Sequence, residues 1–280
     1  MKGRIIRAQN SFFYVKTDDG VFETKLRGKM KQSDEVLMGD YVEFTPLSKD
    51  SGVIENVETR KNYLMRPKVA NVDAFCVVFA VKSPDPHPLL ITRFLVLGEF
   101  SRIPEIFICA NKSDLATCEM FLPFIKAGYE VVFTSAENKE GIEALRKKLR
   151  NKTTVFAGSS GVGKSSLLNA VDETFKRTTG NVSEKIKRGK HTTRYAEFLP
   201  FENGYIVDTP GFSSVDLNFI KNVELDTYFK EFIPFLGKCY FSPCSHSHEP
   251  KCAVKEAVKE GKIQGERYDA YLKLLEEIDS

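Results

Sequence analysis

No apolar run in this 280-residue chain approaches the roughly 18 to 20 residues that would cross a bilayer, so no membrane-spanning helix is expected. The opening MKGRIIRAQNSFFYV lacks the continuous apolar block of a secretory signal and alternates polar with apolar side chains instead, so the expectation is a mature cytoplasmic protein. Strong charge of one sign is missing too: Lys+Arg 41 against Asp+Glu 38, a formal net charge of +3. Such a total does not imply a nucleic-acid partner, and its distribution carries more information than its sum. Between 176 and 194, Lys176, Arg177, Lys185, Lys187, Arg188, Lys190 and Arg194 face only Glu184. This segment either meets RNA or is a solvated loop. There is no internal repeat or low-complexity tract. Cysteine is scarce, six in all: Cys76, Cys109 and Cys118 are scattered, while Cys239, Cys244 and Cys252 crowd beside two histidines. Such clustering points to a metal site rather than to disulfides.

What is present divides the chain. Residues 3–58 contain RIIRAQ, FFYVKT, VFETKLRG, DYVEFTPL and GVIENVET, each with period-two patterning. These predict a small five-stranded barrel, of OB type or SH3-like. TRKNYLMRPKVA reads as a linker. From Val72, apolar runs alternate with amphipathic segments, which predicts a doubly wound, mostly parallel α/β sheet. Helices are expected from Leu115 and over 141–150. The remainder predicts a helix near 224–236, the Cys/His cluster, and helices at about 252–260 and 264–278. The expected units are 1–62 (barrel), 63–221 (α/β domain) and 222–280 (helical metal-binding domain).

Residues 158–166 read GSSGVGKSS, fitting the phosphate-loop pattern G-x-x-x-x-G-K-[ST] between a strand-like TTVF and a helix-like SSLLNAV. Gly158 and Gly163 let the backbone wrap closely, so that N–H groups of Ser159, Ser160, Gly161 and Val162 point at phosphate oxygens. Lys164 is expected to reach the β- and γ-phosphates, and Ser165, followed by Ser166, to supply the Mg²⁺ hydroxyl. DTPG at 208–211 follows the apolar GYIV, which places Asp208 at a strand's carboxyl end, where open parallel sheets bind ligands. Asp208 can hold Mg²⁺ through water, and the Gly211 N–H can meet the γ-phosphate.

NKSD at 111–114 follows another apolar strand. The Asp114 carboxylate can accept hydrogen bonds from guanine N1 and N2, an arrangement that adenine does not offer. Asn111 is expected to brace the loop and the Lys112 stem to lie across the base. TSA at 134–136, with Ser135 at its centre, offers the Ala136 N–H to the guanine oxygen. In familiar GTPases the phosphate loop precedes the base-reading loops; here it follows them. A sheet holds strands by position in space, and domain termini lie close together, so old ends can be joined and new ones opened. The expectation is a circularly permuted P-loop GTPase domain.

RGKHTTR at 188–194 lies where a GTPase needs a threonine on Mg²⁺ and the γ-phosphate; Thr192 and Thr193 both qualify, with Thr193 preferred. Many GTPases carry a water-orienting glutamine just after the glycine of the DTPG position, but here Phe212 stands there. CYFSPCSHSHEPKC spaces Cys239, Cys244, His246 and Cys252 as a Cys₃His set suited to one structural Zn²⁺, with His248 a rival fourth ligand.

A permuted GTPase domain between a barrel and a Cys/His module resembles the RsgA (YjeQ/YloQ) family of bacterial small-ribosomal-subunit-dependent GTPases over essentially the whole chain. The matching motifs are NKSD, TSA, GSSGVGKSS, DTPG and the metal motif at 239–252. The resemblance implies slow GTP hydrolysis to GDP stimulated by the 30S subunit, late 30S maturation, 16S rRNA contact, and His246 as the fourth zinc ligand. It also implies that His191 assists hydrolysis, alongside Thr193 and Lys164. A histidine near neutral pKa can orient or deprotonate water; the alternative is that His191 contacts RNA. A monomer without a membrane partner is expected. Two rival functions are an RNA-binding adaptor with GTP as a structural ligand, and a permuted GTPase acting on the large subunit, against which the barrel and Cys/His module argue.

Overall fold

Five strands, each with one apolar face, begin the computed structural model, which describes residues 1–9, 11–28, 35–175, 197–208 and 215–279. They are β1 Lys2–Gln9, β2 Phe12–Thr17, β3 Gly20–Leu26, β4 Tyr41–Pro46 and β5 Ser51–Val57. They close into a barrel in the order β1-β2-β3-β5-β4, with β4 returning to β1. Only the β3–β5 pair is parallel. That Greek-key closure is OB-like and decides against the SH3-like alternative. Ile5, Val15, Phe22, Val42, Phe44 and Ile54 point inward and form its core.

Residues 59–70 are not a plain linker. They contain the antiparallel hairpin β6 Tyr63–Met65 and β7 Lys68–Ala70. Leu64, Val69 and Ala70 are fully buried there, so burial holds strands too short to show a period.

The second sheet comprises β8 Ala74–Ala80, β9 Glu105–Asn111, β10 Glu130–Thr134, β11 Thr153–Ala157, β12 Glu197–Phe201 and β13 Gly204–Asp208, in the order β10-β9-β8-β11-β13-β12. Only β12 runs antiparallel, against β13. Every residue of β8 is buried, as a strand covered on both faces requires. The covering helices include α1 Pro88–Phe100, α2 Leu122–Lys126, α3 Ile142–Leu149 and α4 Lys164–Val171. The helix expected from Leu115 starts later: turns and a 3-10 segment at Glu119–Phe121 precede α2, with Pro123 in its first turn, where its missing N–H costs nothing. Strand β11 lies mid-sheet between β8 and β13, so the chain begins and ends this sheet on opposite sides of the phosphate-loop strand. Permutation thus leaves all neighbours in place.

The helix expected near 224–236 is instead two 3-10 segments, Asn222–Tyr228 and Ile233–Phe235. Between them Phe229 and Phe232 turn inward against Tyr271, a packing that interrupts a regular helix. Helices α5 Ala253–Lys259 and α6 Gly265–Asp279 complete the described chain. Buried Arg267 of α6 donates to Thr92 Oγ1 of α1 at 2.9 Å and to Glu231 Oε1 at 2.6 Å, fastening this region to the sheet domain. Among the described residues no helix is long and apolar enough to cross a membrane.

Candidate functional site

Strand β11 ends at Ala157, and the chain turns through 158–163 into α4. A Cβ on Gly158 (φ +149°) would stand 2.0 Å from the Val78 carbonyl oxygen, and one on Gly163 (φ +92°) 2.4 Å from Asn111 Nδ2. Only glycine fits either place. The loop closes over Lys164, whose Nζ donates to the carbonyl oxygens of Gly158 (2.6 Å) and Ser159 (2.9 Å). Burial lowers the Lys164 pKa, with the charge of Asp208 opposing that shift. Ser160, Gly161, Ser165 and Ser166 are exposed around it, while Val162 is buried. A cation held by carbonyl oxygens beside a helix N-terminus is a seat for a polyanion.

Asn111 closes β9 and is buried. Its Nδ2 donates to the Val162 carbonyl at 2.9 Å, while its Oδ1 accepts from Thr134 Oγ1 at 3.3 Å and from the Ala136 N–H at 3.4 Å. Three sequence-distant segments therefore meet on one side chain. The Ala136 N–H, expected to face the base, is turned to Asn111, but weakly at that distance. Ser135 braces its own loop: its N–H donates to Glu140 and its Oγ accepts from the Asn138 N–H. The Lys112 ammonium donates to the carbonyls of Gly161 (2.9 Å) and Ser83, which lays its stem along the phosphate loop. Asp114 is exposed, on a turn closed by the Leu115 N–H to the Lys112 carbonyl.

Asp208 ends β13 in register with Phe156, one residue before the end of β11. It reaches Lys164 electrostatically. The Asp208 carboxylate and the exposed Ser165 hydroxyl are hard oxygen donors, which fit a small divalent cation such as Mg²⁺ and not a thiophilic metal. His191, Thr192, Thr193, Gly211 and Phe212 lie outside the described residues, as does the basic segment from Lys176 to Arg194.

Cys239, Cys244, His246 and Cys252 bring one ligand atom each within 4.8 Å of one another, a group that could hold a metal ion. His246 Nδ1 faces the sulfurs of Cys252 (3.2 Å) and Cys239 (3.5 Å). Its Nε2 lies 3.1 Å from Asp226 Oδ2, to which it donates. This carboxylate–histidine arrangement is the usual support of a metal-bound imidazole. Burial, with Cys239 and Cys252 alongside, pushes the Cys244 thiol up to about 12, and metal binding would displace that proton. Burial opposes charge on His246, but the bonds to Asp226 and Cys252 together lift its pKa to about 9. His248 is turned away, its Nδ1 3.0 Å from Ser247 Oγ. Tyr268 and Tyr271 of α6 donate to the carbonyls of His246 and Ser245, both at 2.7 Å, and brace the loop. Sequence reasoning missed Asp226, which lies twenty positions before His246 without a motif, and the Ser83 carbonyl, which has no side-chain signal.

Residues 57–218 match the family model described as RsgA GTPase, and residues 2–54 the model described as RsgA N-terminal domain. Proteins named small ribosomal subunit biogenesis GTPase RsgA are similar almost end to end. That of Clostridium botulinum is 43% identical over 285 residues, covering 99% of this chain and 97% of the relative. That of Clostridium perfringens is 46% identical over 283 residues, covering 99% and 98%. Among solved structures, YjeQ from Thermotoga maritima is similar with a TM-score of 0.83 at 40% identity, over 99% of this chain and 98% of that one. YloQ, described as a circularly permuted GTPase, gives 0.81 at 34% identity, over 99% and 94%. With strand order, phosphate loop and base loop arranged as such an enzyme needs, the chain belongs to the RsgA family of circularly permuted GTPases.

Proposed function

We propose that this GTPase acts in late maturation of the 30S ribosomal subunit, binding 16S rRNA and hydrolysing GTP faster when docked. The convergence of the 111–114, 134–136 and 158–166 segments on Asn111 carries the reading, because it makes one guanine-nucleotide site from motifs far apart in the chain. The relatives' names, which specify small-subunit biogenesis, supply the setting.

In this reading Asp114 selects guanine, Lys112 covers the base, and the 158–166 loop with Lys164 holds the phosphates. Ser165, Thr193 and, through water, Asp208 would hold Mg²⁺, with Thr192 the alternative to Thr193. Bound there, Mg²⁺ would neutralise charge on the phosphate oxygens. His191 orients the attacking water, since Phe212 cannot. The Cys₃His set would hold one Zn²⁺; four protein ligands leave no open position, so its part is structural. Residues 1–62, 63–221 and 222–280 act as barrel, GTPase and zinc-binding units of a cytoplasmic monomer, with the outer two holding RNA.

Initial hydrolysis rates measured alone and with separated 30S and 50S subunits test this. Stimulation by 30S, lost in His191→Ala with GTP binding retained, is expected; equal rates in all conditions would sink it. Phe212 favours a second reading, an adaptor that keeps GTP as a structural ligand, and that is the outcome which negligible turnover with 30S would support.

A further inference from the structure

The base of the β11–β13 ladder is held by a residue of the barrel. Thr153 of β11 stands opposite Tyr205 of β13, and the same ladder ends with Phe156 opposite Asp208. From its upper end β11 runs into the phosphate loop, and β13 stops on the carboxylate assigned to Mg²⁺. Register is a property of the whole ladder: fixed at one end, it is fixed at the other.

Arg4 of β1 touches both members of the lower pair. Its Nη1 donates to Thr153 Oγ1 at 2.6 Å. Its guanidinium carbon lies 5.5 Å from the ring of Tyr205, 5.5 Å from Phe198 of β12 and 5.2 Å from Tyr41 of the barrel. Nη2 donates to the Asn71 carbonyl at 2.9 Å, and Nε to that of Gly39 at 3.2 Å. From the other side Asp73 grips Thr153 through both backbone groups, each at 2.9 Å. The Arg4 residue is only 8% exposed. Burying a guanidinium is costly, and a simple tether between barrel and sheet could be apolar. A planar cation with donors on three segments and rings on three strands defines a geometry that an apolar contact does not.

We propose that Arg4 is a positioning residue of the nucleotide site: by clamping the Thr153–Tyr205 pair it sets the phosphate loop against Asp208, and so tunes Mg²⁺-dependent binding of GTP from another domain. The inference rests on Asp208 acting toward Mg²⁺ as in the function above. By thermodynamic reciprocity, a ligand that loads the barrel and shifts Arg4 changes nucleotide affinity, and the nucleotide changes the barrel's affinity equally.

The test titrates Mg²⁺ into full-length protein with a fluorescent non-hydrolysable GTP analogue, and measures fluorescent GDP binding in EDTA. Arg4→Met is expected to raise the Mg²⁺ concentration at half-saturation about tenfold, the lower end of what losing an outer support of a metal site costs. GDP affinity without Mg²⁺ should stay within about twofold, and Thr153→Val, added to Arg4→Met, should cause no further shift, because both remove one clamp. Phe22→Leu, which thins the barrel core where the Phe22 and Phe44 rings lie 5.1 Å apart, is the stability control: its thermal midpoint falls while its Mg²⁺ dependence stays. Should Arg4→Met not fold, Tyr205→Leu keeps all three hydrogen bonds of the Arg4 guanidinium and removes one ring, and it should shift the Mg²⁺ dependence in the same direction. A variant set that loses only thermal stability, as Phe22→Leu does, overturns the inference. Asp208→Asn separates the two failures. If it does not alter Mg²⁺ dependence, the metal assignment falls and takes the inference with it; if it does while Arg4→Met does not, the inference alone falls.

Discussion

The side-chain amide of Asn111 donates a 2.9 Å hydrogen bond to the carbonyl oxygen of Val162, tying the base-reading loop directly to the phosphate loop. Because Asn111 is buried, Asn111→Ala leaves that carbonyl without its donor, at a cost of about 1–3 kcal/mol. Affinities for GTP and GDP should fall together, by no more than the roughly five- to 150-fold to which that cost converts. Fluorescent-nucleotide titration checks this, and a loss confined to GTP would contradict it, since the bond is remote from anything specific to the γ-phosphate.

In the proposed site Asp114 is the residue that selects guanine. Asp114→Asn replaces a carboxylate acceptor with an amide donor facing the guanine N–H groups, removing charge-assisted bonds of about 1.5–3 kcal/mol each. GTP should weaken while xanthosine triphosphate, with an oxygen at position 2, gains. Competition between the two triphosphates measures it; unchanged GTP affinity would place the base elsewhere.

The metal centre should contain one zinc per chain by elemental analysis. Cys244→Ser removes one of four ligands and should lose the metal while nucleotide binding persists, because the loops around Asn111 and Lys164 share no residue with the cluster. Asp226→Asn keeps all four ligands but weakens the support of His246, so a chelator should extract zinc at about 10- to 100-fold lower competing strength. Wild-type retention in Asp226→Asn would show that this carboxylate only packs.

With Lys164 on the phosphates, as proposed, nucleotide binding should depend on pH. Burial lowers its folded pKa below the ordinary 10.5. Between the two values the unfolded chain binds more protons than the folded one, so stability of the free protein rises with pH through that alkaline window. Phosphate oxygens favour the ammonium, so nucleotide binding there takes up a proton and weakens as pH rises. Calorimetry in two buffers of different ionisation heat reads the uptake. Lys164→Met should abolish it, and equal uptake by that variant would assign the proton to another group.

Legibility followed distance along the chain. The phosphate loop, the NKSD turn and the Cys/His set were readable because their residues are neighbours and their geometry depends on local spacing. The β6–β7 hairpin was not, since three-residue strands show no period and Leu64 and Val69 are held by burial. The stretch near 224–236 carried helical patterning, yet the inward packing of Phe229 and Phe232 on Tyr271 left it as two 3-10 segments. Local propensity is worth tenths of a kcal/mol per residue and yields to burial of an aromatic side chain.

By itself the sequence determined the fold class and, from the inverted order of its motifs, that the domain is permuted. Those properties reside in residue type and short spacing. Tertiary structure alone decided what joins them: Asn111 to Val162 across 51 positions, His246 to Asp226 across 20, and Arg4 to Thr153 across 149. Each of these contacts needs strand order, register and domain packing to bring two groups within about 3 Å, and a hydrogen bond decays over a few tenths of an ångström. No local pattern encodes a distance of that kind, so the motifs name the parts and the packed fold sets how they act on one another.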